Sequence, residues 1–92
     1  MAFARMFENP NVNQEQYDAG RAATGASEDN MPDGGVIHLA GPSPNGGWRV
    51  IEVWESEEQA QKWDERIEPI LEQAGIKRPA PEKWPVHSLL KR

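Results

Sequence analysis

From Gly46 to Ser56 the chain reads GGWRVIEVWES, and EEQAQKW follows without a break. The two glycines supply a turn. The alternation of Trp48, Val50, Glu52 and Trp54 with Arg49, Ile51 and Val53 supplies a strand whose side chains point to opposite faces of a sheet. Ser56 with Gln59 three residues later forms a capping box, and Glu57 and Glu58 suit the positive end of the helix it opens. No residue is left for a linker, so a strand over Trp48 to Glu55 passes directly into a helix that must fold back on its own sheet. That requirement points to a layered α+β fold.

The flanking segments fit such a fold. Ala2 to Glu8 predicts a first strand, with Phe3, Arg5 and Phe7 on one face and Ala4 and Met6 on the other, closed by Asn9, Pro10 and Asn11. Asn13 with Gln16 caps a first helix carrying Tyr17, Ala19, Ala22 and Ala23 and ending at Gly25, with Gly20 an unfavourable interior residue. Ala26 to Gly35 is rich in turn formers and reads as a long loop of the kind that often borders a site. A second strand over Val36 to Ala40 is joined by the turn Gly41 to Gly47 to the Trp48 strand, making a hairpin. In the second helix Ala60, Trp63, Ile67, Ile70, Leu71 and Ala74 recur at helical spacing before Gly75. Pro69 removes a backbone donor there, so two helical pieces are expected, broken near Ile67 and Glu68. Pro79, Ala80 and Pro81 form an extended linker, and a fourth strand is expected over Val86 to Leu90, at an edge because Pro85 cannot donate to a ladder. Strand, helix, strand, strand, helix, strand is the ferredoxin-like order, a four-stranded antiparallel sheet with both helices on one face, in a single domain over residues 1–92.

A chain of 92 residues buries a small fraction of its surface, and a partner subunit is the expected source of further stability. Cysteine is absent, which excludes disulfides, thiolate metal sites and cysteine nucleophiles. Ten basic residues stand against fifteen acidic ones, and the basic pairs Lys77-Arg78 and Lys91-Arg92 are too few and too dispersed for a nucleic-acid surface. No apolar run approaches the roughly 18 residues of a membrane span, and Met1 to Met6 is unlike a secretory signal, so a cytoplasmic location without membrane association is expected.

Alternation divides the central hairpin into two sets. Ile37, Leu39, Ile51 and Val53 are purely aliphatic and are expected to form the core beneath the second helix. Val36, His38, Ala40, Trp48, Val50, Glu52 and Trp54 form a mixed set, expected on the uncovered face, where a second copy laying its sheet across would enclose a lined interior.

The run Gly47 to Glu58, with Pro69 followed by Gly75 and the late Pro85-Val86-His87, resembles the dimeric α/β-barrel superfamily, in particular proteins similar to the antibiotic-biosynthesis monooxygenases, over nearly the whole chain. The resemblance implies a homodimer with a pocket between sheet and helices in each subunit. Its implied uses range over cofactor-free oxygenation of polyketide-like aromatics, haem breakdown, isomerisation or an activity not yet identified. Haem-binding members carry a histidine nine residues after the strand-ending tryptophan; this chain has Trp63 there, so haem oxygenation is not expected.

His38 and Glu52 share a face of paired strands and are expected to approach each other diagonally, so the carboxylate can fix the ring tautomer and raise imidazole basicity. This makes the pair the candidate acid/base machinery, with His38 moving a proton and Glu52 orienting it. Mutual satisfaction inside a dimer explains the same pair without chemistry. Trp48 and Trp54, flat and rigid, suit either an aromatic ligand or a subunit interface. Tyr17 can place its hydroxyl at a pocket mouth, and His87 joins the lining if its strand faces that way. Trp63 reads as core, and Trp84 as a barrel cap or subunit contact. No ligand spacing supports a metal site, and no cofactor is expected. Two functions remain open: binding or cofactor-independent conversion, monooxygenase- or isomerase-like, of a small hydrophobic or aromatic metabolite in a homodimer, or a non-catalytic dimeric carrier or interaction module.

Overall fold

The computed structural model describes residues 2–92. The elements are β1 (Phe3–Asn9), α1 (Gln14–Thr24), β2 (Gly35–Pro42), β3 (Trp48–Trp54), α2 (Glu57–Gln73) and β4 (Glu82–Pro85). The strands form one antiparallel sheet in the order β2-β3-β1-β4, which is the ferredoxin-like βαββαβ arrangement.

Local chemistry sets the element boundaries. Gln16 N–H donates to Asn13 Oδ1 at 2.8 Å and Asn13 N–H to Gln16 Oε1 at 3.0 Å, closing a reciprocal box at the start of α1. Ser56 Oγ accepts from Gln59 N–H at 3.2 Å at the start of α2, but there the Gln59 side chain takes its return bond from the Ser56 hydroxyl, not from the backbone. Gly47 closes the β2–β3 turn with φ at 78°, and a Cβ there would run into the backbone of Asn9 and Pro10, so only glycine fits. Gly20, unfavourable by propensity, is buried where α1 meets α2; a Cβ would come within 2.6 Å of Ile76 Cδ1 and 3.2 Å of Leu71 Cδ2.

Three expectations are corrected. α2 is a single helix with Pro69 inside it, not two pieces. Pro69 and Glu65 are exposed, so the carbonyl that loses its donor is open to water, while Ile67 and Leu71 on the opposite stripe stay buried and hold the two halves together. The fourth strand is Glu82–Pro85, not Val86 to Leu90. It does lie at an edge, where Pro85 needs no donor, and the Val86 N–H to Ala2 carbonyl bond at 3.1 Å closes the ladder.

The third correction concerns the two faces of the sheet. The helices cover the mixed face. Phe3, Trp54 and Ala60 form one buried cluster, Ile67, Leu71 and Ile76 a second, and Trp63 packs against both. The pairings Phe3↔Trp54, Arg5↔Glu52, Phe7↔Val50 and His38↔Glu52 put these residues on that side. The aliphatic set lies on the opposite face, where Val53 is buried but Leu39 is 52% exposed, and Trp84 of β4 is 44% exposed on the same side. Apolarity alone was a poor guide because the polar groups on the mixed face neutralise one another and so bear burial.

Candidate active site

The site begins with a strand register. His38 lies directly opposite Glu52, not on a diagonal from it, and Arg5 lies opposite Glu52 on its other side, so three ionisable side chains form one row across the sheet. Arg5 and Glu52 are only 3% and 5% exposed, and burial at that depth requires full pairing. Arg5 Nε–H donates to Glu52 Oε1 at 2.7 Å and Trp54 Nε1–H to the same oxygen at 2.9 Å, while His38 Nδ1 lies 3.1 Å from Glu52 Oε2. The guanidinium forks onto Asp64 of α2 through two bonds of 2.7 and 2.8 Å, and Arg78 adds a third bond to that carboxylate at 3.0 Å.

This arrangement sets protonation states. Burial alone would raise the Glu52 pKa, but hydrogen bonds from His38, Trp54 and Arg5 and the charge of Arg5 outweigh it and hold the carboxyl at about 2. Burial likewise works against the Arg5 charge, and Asp64 and Glu52 together overcome it. Glu52 is therefore an ionised acceptor, and a neutral His38 ring must place its proton on Nδ1. The other nitrogen, Nε2, is then a lone-pair acceptor, and the Tyr17 hydroxyl lies 2.6 Å from it. Burial raises the phenol pKa; Arg21 opposes that rise, while Glu52 and Asp18 add to it, so Tyr17 is held as a donor. A chain of hydrogen bonds thus runs from Tyr17 through His38 to Glu52 and its cationic support.

A cavity of ≈ 580 Å³ opens between the sheet and the helices, within the usual range for small-ligand sites. Its deep wall is apolar, with Val50, Trp54, Trp63, Ile67 and Leu71, and its polar rim carries Tyr17, His38 and Arg21. Part of the wall comes from the Ala26 to Gly35 loop, including Met31 and Pro32, as a long loop at a site edge suggests. Asn9 also lines it, and among the described residues its buried Oδ1 has no partner.

Of the residues proposed from sequence, Tyr17, His38, Glu52 and Trp54 meet around this cavity. Trp48 is not part of its wall. Its ring packs against Tyr17 with centroids 5.6 Å apart and so backs the hydroxyl that faces His38. His87 is displaced altogether, exposed beyond the end of β4, because the strand expected to carry it lies earlier in the chain. Sequence reasoning missed Arg5, Asp64 and Arg78 as a unit. Arg5 alternates between Phe3 and Phe7 on a core-facing row, and Asp64 falls between Ala60 and Ile67 on the buried helical stripe. Two opposite charges at such positions predict a buried pair.

No family model matches the chain, and no curated protein matches it by sequence. Solved structures do. The fold superposes on a protein from Chloroflexus aurantiacus assigned as an antibiotic biosynthesis monooxygenase with a TM-score of 0.69 at 14% identity, covering 99% of this chain and 98% of that one. A conserved protein from Methanosarcina mazei gives a TM-score of 0.67 at 11% identity over 92% of each chain. SnoaB, a cofactor-independent oxygenase from Streptomyces nogalater, gives 0.60 at 12% identity over 99% of this chain and 96% of its own. At these identities the likeness is one of fold.

Proposed function

With the chain carrying the ferredoxin-like fold of the antibiotic-biosynthesis-monooxygenase-like proteins as premise, we propose that it binds a small, largely apolar or aromatic metabolite between sheet and helices and that His38 acts on it as a general base. The observation that carries this reading is the Tyr17–His38–Glu52 chain at the rim of an apolar cavity. Glu52 orients the ring and stabilises the imidazolium, as a carboxylate does behind any catalytic histidine, and Tyr17 guards the basic nitrogen until a ligand displaces it.

A bound carbon acid, such as a ketone flanked by aromatic rings, gives its proton to Nε2, and the electron pair stays in the resulting enolate. Return of the proton to another carbon is an isomerisation. Reaction of the enolate with dioxygen gives a hydroperoxide, and its loss of water leaves a carbonyl, so that CH₂ and O₂ become C=O and H₂O. The tricyclic ketone anthrone tests both stages. The wild type is expected to quench tryptophan fluorescence on binding and to consume dioxygen, while His38→Ala binds and loses about a hundredfold or more in turnover. Unchanged turnover in His38→Ala refutes the catalytic role.

The second reading, ligand carriage without turnover, is supported by the closeness of Tyr17 to Nε2, since a capped base is an inactive one. Binding without dioxygen uptake or isomerisation favours it. Either reading goes with a homodimer, whose interface we assign to the open sheet face on the strength of exposed Leu39 and Trp84.

A further inference from the structure

Charge accounting around the cavity identifies what kind of ligand it selects. Arg5, Arg78, Glu52 and Asp64 form a closed set, two positive and two negative, bonded among themselves. Arg21 stands outside it. Tyr17, Arg21 and Thr24 share one face of α1 at helical spacing, and all three line the cavity. Among the described residues Arg21 makes no ion pair, and its hydrogen bond to the Ala26 carbonyl, at 3.5 Å, is long enough to be given up readily. A cation without an ion-pair partner therefore stands one helical turn from Tyr17 on the cavity wall. The deep wall, with Val50, Trp54, Trp63, Ile67 and Leu71, is apolar.

We propose that the cavity takes an acidic ligand, an apolar ring system bearing one ionised oxygen, and that Arg21 together with Tyr17 and His38 binds that oxyanion. The inference rests on the small-ligand reading above and narrows it. A carboxylate arrives already ionised, and His38 donates to it once Nε2 has taken a proton from solvent. An enol or phenol reaches the same state by breaking its O–H bond, leaving the electron pair on oxygen and the proton on His38 Nε2, while the Tyr17 hydroxyl turns to donate to the anion. Because the four charges of that set already cancel, the ligand oxygen supplies, beside Glu52, the further negative charge that an imidazolium calls for. The groups facing His38 are Tyr17 from α1 and Glu52 from β3, with Arg5 of β1 behind Glu52, while Arg21 of α1 lines the same cavity. Of the other charged residues on the wall, Arg78 is paired with Asp64, and Glu28, exposed like Arg21, makes no ion pair with it among the described residues.

The experiment is a fluorescence titration with two probes of one shape, an anthracene carboxylate and the corresponding anthracene methanol, against wild type, Arg21→Met and Arg21→Lys at low and high salt. Arg21 is exposed, so these substitutions leave the fold intact. The wild type is expected to prefer the carboxylate by about tenfold, the scale of one charge-assisted hydrogen bond. Arg21→Met abolishes the preference without weakening the alcohol, Arg21→Lys keeps part of it, and salt weakens the carboxylate alone. Equal affinity for the two probes in the wild type, or a preference that survives in Arg21→Met, overturns the inference while leaving the pocket standing. If neither probe binds, the pocket reading fails and this inference falls with it.

Discussion

Replacing Glu52 by glutamine removes one charge from the centre of the site and almost no volume. Glutamine mimics a protonated carboxyl, so the preference of the fold for the charged form measures the cost. An ordinary glutamate titrates at 4.5 and Glu52 at about 2. At about 1.4 kcal/mol per pH unit, that difference is worth about 3 kcal/mol of stability at neutral pH. The figure agrees with the about 3–5 kcal/mol lost when one partner of a buried pair is removed, at its lower end because Arg5 keeps both bonds to Asp64. Against a total of about 5–15 kcal/mol for a small domain this is severe but survivable. Urea unfolding followed by tryptophan fluorescence is the assay, with an expected fall in midpoint of about 2 M at neutral pH. The sign with pH follows from a depressed pKa: the Glu52 contribution is complete above pH 4.5 and is lost as pH falls toward about 2, so wild type and variant converge. By about pH 3 more than half of the gap is expected to be gone. A loss below about 1 kcal/mol at neutral pH, or a gap that does not narrow on acidification, refutes the reasoning.

Gly47→Ala forces a Cβ into the Asn9 and Pro10 backbone at positive φ and is expected to cost about 2 kcal/mol or more; an unchanged urea midpoint contradicts this. Leu39→Lys puts a charge on the open face of the sheet and is expected to convert the proposed dimer to monomer in light scattering at micromolar concentration, with the cavity unaltered; a dimer that persists moves the interface elsewhere. Pro69→Ala restores the helical donor opposite Glu65 and is expected to raise stability by about 1 kcal/mol or more, and a lower midpoint would show that the proline is there for packing.

Where neighbouring residues specify structure together, the sequence was a reliable guide. Asn13 with Gln16 and the alternation from Trp48 to Trp54 depend on near neighbours and are found in place, and Ser56 caps α2 through the Gln59 N–H, though without the reciprocal backbone bond. The order of elements and the pairing of His38 with Glu52 followed from them. What misled was long-range energetics. Val86 to Leu90 is expected as a short edge strand after Pro85, but the ladder beside β1 is filled by Glu82–Pro85. The two faces of the sheet exchange roles because Glu52 finds its partner in Arg5, distant in sequence and itself held by Asp64, so that a polar row bears burial. The cavity and its Arg21 rim arise where α1 and the Ala26 to Gly35 loop lie over the sheet, a docking that local patterns do not encode.

The most direct test of the account is a long-range ¹H–¹⁵N correlation spectrum of imidazole-labelled protein at a pH where His38 is neutral, with His38→Ala to assign the signals. The Tyr17–His38–Glu52 chain requires the proton on Nδ1 beside the carboxylate and a bare Nε2 accepting from Tyr17, so the spectrum is predicted to show the Nδ1–H tautomer, with the Nε2 signal moving in Tyr17→Phe. A dominant Nε2–H tautomer, or an Nε2 signal indifferent to the loss of the Tyr17 hydroxyl, would contradict the proton-transfer chain on which the proposed chemistry depends.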